Sequence, residues 1–372
     1  MISKEIYKRT LRKFFAPIVP LLDDPSVTEI MINGHDEIIV EQRGTLIPTD
    51  CRFDDEEQLL AAIRHLAQFV GRRVDAQNPI LEARFPDGSR VEAVLPPASP
   101  SGPSVAIRRF SKEKLTMARL IEFGALDESA AQLLQALVAG KQNIVVAGGT
   151  GSGKTSMLNA LSAYMGERER VVVIEDAIEL QLQCDHVLQF EAQAADAKGR
   201  GGVSIRDLFK ATLRLRPDRI VVGEIRSGEA LELIQAMTSG HGGCMSTVHA
   251  TAPTDTLSRL ETMALMSDVQ LPMLALRSQI SSAIDIVVQT ARLSDGSRGI
   301  THITEVTGLS ESGQYMLVDL YKRNVLGKAP DGRLLSSLDA TGARPQCWDA
   351  LVAKGLILEG QRQEENYHGQ AN

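Results

Sequence analysis

The stretch of sequence that decides the fold is Gly148-Gly149-Thr150-Gly151-Ser152-Gly153-Lys154-Thr155. It fits the pattern G-x-x-x-x-G-K-[ST], in which the backbone amides of a glycine-rich turn surround a phosphate group. The lysine then contacts the β- and γ-phosphates, and the last hydroxyl is a ligand for Mg²⁺. We therefore predict that these eight residues, with Ser156 directly after them, bind a nucleoside triphosphate and Mg²⁺.

The sequence on either side of this turn supports the interpretation. Asn143–Ala147 is an apolar run typical of a buried strand, and Ser156–Leu161 has the composition of a helix. A helix that begins at the turn directs free N–H groups and the positive end of its dipole at the anion. The context is therefore strand, phosphate loop and helix.

The composition of the whole chain limits the possible functions. Its 372 residues suffice for two or three domains, and 43% of them are apolar, which is typical of globular proteins. The net charge of −7 gives no general attraction to nucleic acid, so no nucleic-acid partner is expected. Four dispersed cysteines without a C-x-x-C pair predict a reducing compartment and no zinc site. Without an evident membrane span or signal peptide, we expect a cytoplasmic protein whose membrane association is peripheral.

Changes in sequence pattern divide the chain. We predict an N-terminal helix at 1–20, which contacts a membrane or packs on its own domain or a neighbouring subunit. Residues 21–110 carry strand and helix signals of an α+β domain, and 111–125 form a linker. A nucleotide-binding α/β domain follows at 126–330, and 331–372 form a C-terminal extension whose end is expected to be disordered.

Short apolar strands alternate with helical segments in the domain at 126–330. Such uninterrupted apolar runs are typical of a parallel sheet that is covered on both faces. The predicted strands are Asn143–Ala147, Arg170–Ile174, His186–Phe190, Arg219–Val222, Met245–Val248 and Ile284–Thr290.

Acidic residues follow two of these strands, where ligands bind in such sheets. Glu175 and Asp176 come directly after one strand, and Glu224 follows another. Phosphoryl transfer needs a positioned metal ion and a positioned water, which these carboxylates could supply. A usual Walker B strand also carries an aspartate, and in this chain Gly223 stands at that position. Glu224 would therefore act alone or with a water shell. Either acid could instead be an ordinary carboxylate at a helix start.

Histidines and arginines supply further candidates. His241 and His249 bracket the predicted strand Met245–Val248, and one of them could sense the γ-phosphate or contact a neighbouring subunit. An arginine finger contributes about 10³–10⁵ in rate, although a solvated surface arginine is the ordinary alternative. The arginines considered are Arg84, Arg90, Arg108, Arg109, Arg214, Arg216, Arg219 and Arg226.

Four blocks in this order resemble the secretion-system and pilus-assembly ATPase superfamily. They are Gly148–Thr155 as Walker A, Ile174–Glu179 as Asp box, Leu213–Arg226 as Walker B and Ser239–Ala250 as His box. Within the superfamily the chain is similar to the CpaF-type assembly ATPases of Tad/Flp pili. That similarity extends to Val27–Gly34, Phe85–Val91, Ile107–Phe110, Thr301–Gly308 and Thr341–Pro345. One departure is Gln193, where many relatives carry arginine, so a role for that arginine is in doubt here.

The resemblance implies a RecA-like ATPase domain after a smaller PAS-like α+β domain, in a homo-hexamer that binds ATP between the two domains. The catalytic residues that it implies are Lys154, Glu175, Glu224, His249 and Arg108. Arg90, Arg108 and His241 would contact the nucleotide, and Thr155 and Glu224 would hold Mg²⁺. Glu175 would polarise the attacking water, although the division of labour between the two glutamates stays open.

The implied function is a motor ATPase that drives pilus assembly or protein secretion through an inner-membrane platform protein. A type IV secretion traffic ATPase is the alternative that shares all four blocks. A nucleic-acid motor is disfavoured by the acidic charge balance and the lack of a basic and aromatic strand. A regulatory switch with little turnover is disfavoured by two acidic strand ends and many arginines.

Overall fold

A computed structural model describes residues 4–42, 44–110, 115–193, 195 and 200–357. The chain divides into two compact units, Met1–Glu113 and Lys114–Asn372. In the described part of either unit, no helix has the length and apolar character needed to cross a membrane.

The first unit combines helices with one antiparallel sheet. Its helices are α1 (Lys4–Phe14), α2 (Val19–Asp23) and α3 (Glu56–Phe69), with a 3-10 turn at Ala16–Ile18. Its strands are β1 (Val27–Asn33), β2 (Glu37–Gln42), β3 (Thr45–Pro48), β4 (Ile80–Arg84), β5 (Arg90–Val94) and β6 (Ser104–Arg108). The strand order is β3-β2-β1-β6-β5-β4, and every neighbouring pair is antiparallel. The predicted α+β architecture is confirmed.

Alternation along the strands builds the core of the first unit. In β6, Val105 and Ile107 are buried while Arg108 is exposed, as expected for a sheet with one covered face. Tyr7 and Leu11 of α1 are buried in the same core. Of the alternatives for the N-terminal helix, the structure therefore supports packing on its own domain.

The second unit contains the phosphate loop. Its helices are α4 (Met117–Glu122), α5 (Glu128–Ala139), α6 (Lys154–Ser162), α7 (Ile205–Thr212), α8 (Glu229–Thr238), α9 (Pro253–Leu265), α10 (Met273–Ala283) and α11 (Trp348–Ala353). Its strands are β7 (Ile144–Gly148), β8 (Val171–Glu175), β9 (Val187–Glu191), β10 (Arg219–Val222), β11 (Met245–Val248), β12 (Ile286–Arg292), β13 (Arg298–Leu309), β14 (Tyr315–Lys328) and β15 (Leu334–Ala340). All six strands predicted for this region are present, with ends displaced by at most two residues.

These strands form one mixed sheet in the order β15-β14-β13-β12-β7-β11-β10-β8-β9. The strands from β12 to β9 are parallel, and β13, β14 and β15 extend the sheet in antiparallel fashion. In β7, Ile144 and Val146 pack into one core, and Val145 and Ala147 pack into the core on the other face. Because both faces are covered, apolar residues occupy successive positions of the strand. The predicted α/β class with a mostly parallel sheet is confirmed.

Both segments next to the predicted ATPase domain contribute to its core. Within 111–125, α4 buries Leu120, and residues 111–114 lie outside the described part. Within 331–372, β15 pairs with β14, and Leu351 of α11 is buried against Gly140. The sequence had indicated only a linker and an extension because these short elements lack a strong periodic pattern. The expected disordered end, 361–372, lies outside the described residues.

A buried ion pair between Arg219 and Glu169 connects the start of β10 to the segment before β8. The side chain of Arg219 is only 1% exposed and contacts Glu169, and its Nη2 donates to the carbonyl of Val138 at 2.8 Å. The sequence listed Arg219 among the finger candidates, but its burial within the fold gives it a structural role. It ties β10 to the end of α5.

We expect Arg219→Ala to lower the free energy of unfolding by about 3–5 kcal/mol, because it removes a buried cation and leaves the largely buried Glu169 with Lys141 as its remaining partner. Urea unfolding followed by the fluorescence of Trp348 measures this, since the single tryptophan lies in the second unit. The control is Arg333→Ala, which removes an exposed pair with Asp331 and should cost at most about 1 kcal/mol. Equal losses in the two variants would contradict the structural role of Arg219.

Candidate active site

The phosphate loop connects β7 to α6. Gly151 and Gly153 have φ values of 68° and 98°, in the left-handed region that favours glycine. A Cβ added at Gly149, Gly151 or Gly153 would meet no atom within 4 Å, so this backbone borders open space. No side chain caps the first turn of α6, so its amides are available to an anion. The loop therefore fits a phosphate group.

Hydroxyl contacts fix the loop to the sheet. The Ser152 hydroxyl donates to the carbonyl of Gly149 at 2.9 Å and lies 2.9 Å from the hydroxyl of Thr290. Thr290, in β12, donates in turn to the carbonyl of Ala147 at 3.0 Å. A Cβ at Gly148 would lie 2.3 Å from both hydroxyl oxygens, so this position has no room for a side chain. Sequence reasoning missed Thr290, for which the only signal was a polar residue ending an apolar strand.

The side chain of Lys154 folds back over the phosphate loop. Its Nζ donates to the carbonyls of Gly148 and Gly149, both at 3.0 Å. Thr155 and Ser156 follow in the first turn of α6 and are partly exposed. A bound phosphate would offer Lys154 charged oxygens in place of the two neutral carbonyls, which makes stronger hydrogen bonds.

The parallel strands bring the predicted acids to the edge that carries the loop. Glu175 ends β8, Glu224 lies two residues beyond β10, and His249 directly follows β11. With the order β7-β11-β10-β8 and a strand spacing of about 4.8 Å, β10 lies about 10 Å from β7 and β8 about 14 Å. Glu224 is therefore on the strand nearer to the phosphate loop.

Glu175 is held inside the protein. Its side chain is only 3% exposed, and its Oε1 accepts hydrogen bonds from the amides of Glu179 at 2.9 Å and Leu180 at 3.0 Å. A Cβ at Gly223 would lie 2.7 Å from Cγ of Glu175. The glycine in the Walker B block is therefore required by the acid of the neighbouring strand. Glu175 has a clear structural use, in addition to any chemical one.

Glu224 is more accessible than Glu175. Its carboxylate is 26% exposed and pairs with Arg226, whose Nε donates to Oε2 at 2.7 Å. Asp176, after β8, is exposed and also contacts Arg226. The accessible acids of this edge are thus linked by one guanidinium group.

His249 occupies the position beside the loop. The preceding residue, Val248, pairs with Ala147 of β7, so His249 continues toward Gly148. Burial lowers the pKa of His249, and the Lys154 ammonium lowers it further, so the imidazole is neutral at neutral pH. A neutral ring in this position offers both a donor and an acceptor to a bound phosphate.

His241 lies at the other end of the same strand. It precedes β11, whereas the phosphate loop and His249 follow the carboxyl ends of their strands. Its Nδ1 is buried without a hydrogen-bond partner among the described residues. A residue before a parallel strand falls on the edge of the sheet opposite the phosphate loop of the same chain. The contact of His241 with a nucleotide stays a prediction. Its contact with a neighbouring subunit stays a prediction.

The candidate arginines differ in their surroundings. Arg90 and Arg108 are cross-strand partners in β5 and β6 of the first unit, and Arg108 is exposed. Their contact with the nucleotide stays a prediction. Arg109 donates to the carbonyls of Asp24 and Val27, which gives it a structural role. Of the remaining candidates, Arg214 and Arg216 are exposed.

The donor set fits Mg²⁺ bound together with a nucleotide. In the described ranges, no group of three or more His, Cys, Asp or Glu side chains could hold a metal ion by itself. Mg²⁺ in phosphoryl-transfer sites usually keeps several waters and takes one or two protein ligands besides the phosphates. Thr155 and Glu224 could fill that smaller role.

Comparison with known proteins places the chain in a family. A family model described as "Type II/IV secretion system protein" matches residues 12–313. A putative conjugal transfer protein of Mycobacterium tuberculosis is 33% identical over 290 residues, which cover 76% of this chain and 82% of that protein. The type IV secretion system protein PtlH of Bordetella pertussis is 34% identical over 299 residues, with coverages of 73% and 88%.

A solved structure shows the same fold. The pilus retraction motor PilT, crystallised with ADP, superposes with a TM-score of 0.55 at 18% identity and covers 93% of this chain and 86% of its own. The sequence relatives and the extent of the family match carry the assignment. The chain belongs to the family of type II/IV secretion system proteins.

Proposed function

We propose that the chain is a motor ATPase that hydrolyses ATP with Mg²⁺ to drive pilus assembly or protein secretion. The observation that carries the proposal is the meeting of Lys154, Glu224 and His249 at one edge of the sheet. Membership of the secretion family supports the biological role, and the PilT structure supports nucleotide binding by this fold.

The described residues divide the work of phosphoryl transfer. The loop amides and the first turn of α6 bind the phosphates, and Lys154 exchanges its two carbonyl partners for phosphate oxygens. Thr155 and Glu224 would hold Mg²⁺, which neutralises developing charge on the phosphates when bound. His249, with its lowered pKa, hydrogen-bonds to the transferring group as a neutral ring.

Two glutamates compete for the attacking water. The resemblance favours Glu175, whereas the burial of its side chain and its two amide bonds favour a structural role. Glu224 is accessible and lies one strand closer to the loop. Substitution of each acid by its amide separates the two possibilities.

The finer proposal is a CpaF-type enzyme that works as a homo-hexamer. In this proposal, Arg90 and Arg108 of the first unit complete the nucleotide site, and an inner-membrane platform protein receives the motion. The enzyme would lie at the cytoplasmic face of that membrane and attach peripherally through its partners. The motifs shared with Tad/Flp assembly ATPases support this version.

A second candidate is a type IV secretion traffic ATPase. It is favoured by the relatives, one named as a type IV secretion system protein and another as a putative conjugal transfer protein. Both candidates use the same ATPase site and differ in the machine that the motor drives.

Lys154→Ala should reduce ATP turnover at least about 100-fold, because the variant lacks the charge that contacts the β- and γ-phosphates. The measurement is phosphate release with saturating Mg²⁺-ATP. Lys210→Ala, on the exposed surface of α7, is the control and should keep the wild-type rate. Unchanged turnover in Lys154→Ala would refute the proposed ATPase site.

Glu175→Gln should bind ATP normally and lose about 10²–10⁴ in turnover if Glu175 polarises the water. The amide oxygen of glutamine can still accept the bonds from Glu179 and Leu180, so the fold should be kept. The same measurements on Glu224→Gln and the unfolding midpoints of both variants complete the comparison. Wild-type turnover in Glu175→Gln would leave Glu175 with its structural role alone.

Arg108→Ala should lower the turnover of assembled protein by about 10³ or more if Arg108 acts as an arginine finger. ATPase activity is measured against protein concentration, with molar mass from light scattering of the same samples. Arg64→Ala, exposed on α3 of the same unit, is the matched control. Equal specific activity in monomer and ring would contradict a site that is shared between subunits.

A further inference from the structure

Arg226 lies between two acids at the active edge. Its Nε and Nη2 contact Oε2 of Glu224 at 2.7 and 2.5 Å, and its Nη1 lies 3.4 Å from Oδ2 of Asp176. Glu224 and Asp176 are both two residues beyond the paired positions Val222 and Ile174. The guanidinium group therefore joins the ends of neighbouring strands β10 and β8.

Arg226 approaches Glu224 at Oε2. Nε donates to this oxygen at 2.7 Å, and Nη2 lies 2.5 Å from it. Two donors on Oε2 anchor this oxygen beside the guanidinium group, and a carboxylate has acceptor sites on both of its oxygens. Oε1 is then the oxygen that can serve a ligand.

The backbone of Arg226 is itself held in place. Its amide and that of Ser227 donate to Oε1 of the buried Glu229 at 2.8 and 2.9 Å. One residue earlier, the amide of Ile225 donates to the carbonyl of Thr247 at 3.0 Å. The segment after β10 is thus hydrogen-bonded to α8 and to β11, and these bonds fix the backbone position from which the Arg226 side chain extends.

We propose that Arg226 is a positioning residue for Glu224: it holds Oε2 and leaves Oε1 for the Mg²⁺-nucleotide. This inference rests on the proposed ATPase function and adds a residue to its site. It also explains how two acids can lie at the edge of the sheet that would bind a highly charged triphosphate. Arg226 offsets one of their two negative charges, which lowers the electrostatic repulsion of the nucleotide.

An ordinary surface ion pair is the alternative, and it predicts different behaviour. The side chain of Arg226 is 53% exposed, and pairs of such exposure contribute little to stability. A purely structural pair would therefore affect unfolding slightly and would leave turnover unchanged. If Arg226 is a positioning residue, its substitution changes turnover, and it does so only through Glu224.

The test is a double-mutant cycle on the assembled protein with Arg226→Gln, Glu224→Gln and the double variant. We expect Arg226→Gln to lower kcat about 10- to 100-fold, as is typical for groups that orient a metal ligand, with the KM for ATP changed less than about twofold. In single-turnover measurements, the double variant should react at the rate of Glu224→Gln, because Arg226 acts only through that acid.

The chain offers a closely matched control. Arg206, in α7, also joins two acids. These are Glu232 and Asp268, and not the acids at the ends of β8 and β10. Arg206→Gln should keep the wild-type kcat. Arg226→Lys retains the charge without the fork and should stay close to Arg226→Gln. This second variant also serves if Arg226→Gln does not fold.

Three results would overturn the inference: wild-type kcat in Arg226→Gln, full recovery in Arg226→Lys, or a double variant whose loss is the product of the two single losses. A wild-type protein without Mg²⁺-ATPase activity would instead refute the proposed function, and the role of Arg226 with it. The wild-type assay therefore separates failure of the function from failure of the inference.

Discussion

Parallel hydrogen bonding among β7, β11, β10 and β8 is the constraint on which the rest of the site depends. Parallel strands share their carboxyl ends, so each connection that leaves a strand starts from the same edge. The phosphate loop, His249, Glu224 and Glu175 come from four separate connections and meet only through this pairing. Both faces of the sheet are covered by apolar cores, and this burial keeps the strands in register.

The local parts of this arrangement could be predicted from the sequence. The phosphate loop is a contiguous pattern whose glycines, lysine and hydroxyl each have a defined task. The strands were visible because burial on both faces leaves uninterrupted apolar runs. Glu175 and Glu224 were placed at the ligand edge because each follows such a run. His241 precedes its strand instead, which places it at the opposite edge of the sheet.

The parts that were missed depend on contacts between distant residues. Thr290 binds the phosphate loop through a hydroxyl that no motif marks. The β15 and α11 elements are short, and their positions are decided by pairing with β14 and by Leu351 packing against Gly140. The amide bonds to Glu175 appear only once the turn after β8 is folded. A sequence identifies the acids, whereas the folded chain decides which of them remain accessible.

The close approach of Gly223 to Glu175 has a consequence for how this family can vary. The two positions are 48 residues apart in sequence but share one small volume, with 2.7 Å between Cγ of the acid and the place of a missing Cβ. A side chain added at Gly223 requires the Glu175 side chain to move away or to be replaced by a smaller one. The Walker B and Asp box blocks therefore cannot diverge independently, and a chain with aspartate in place of Gly223 must arrange the acid at the end of β8 in another way.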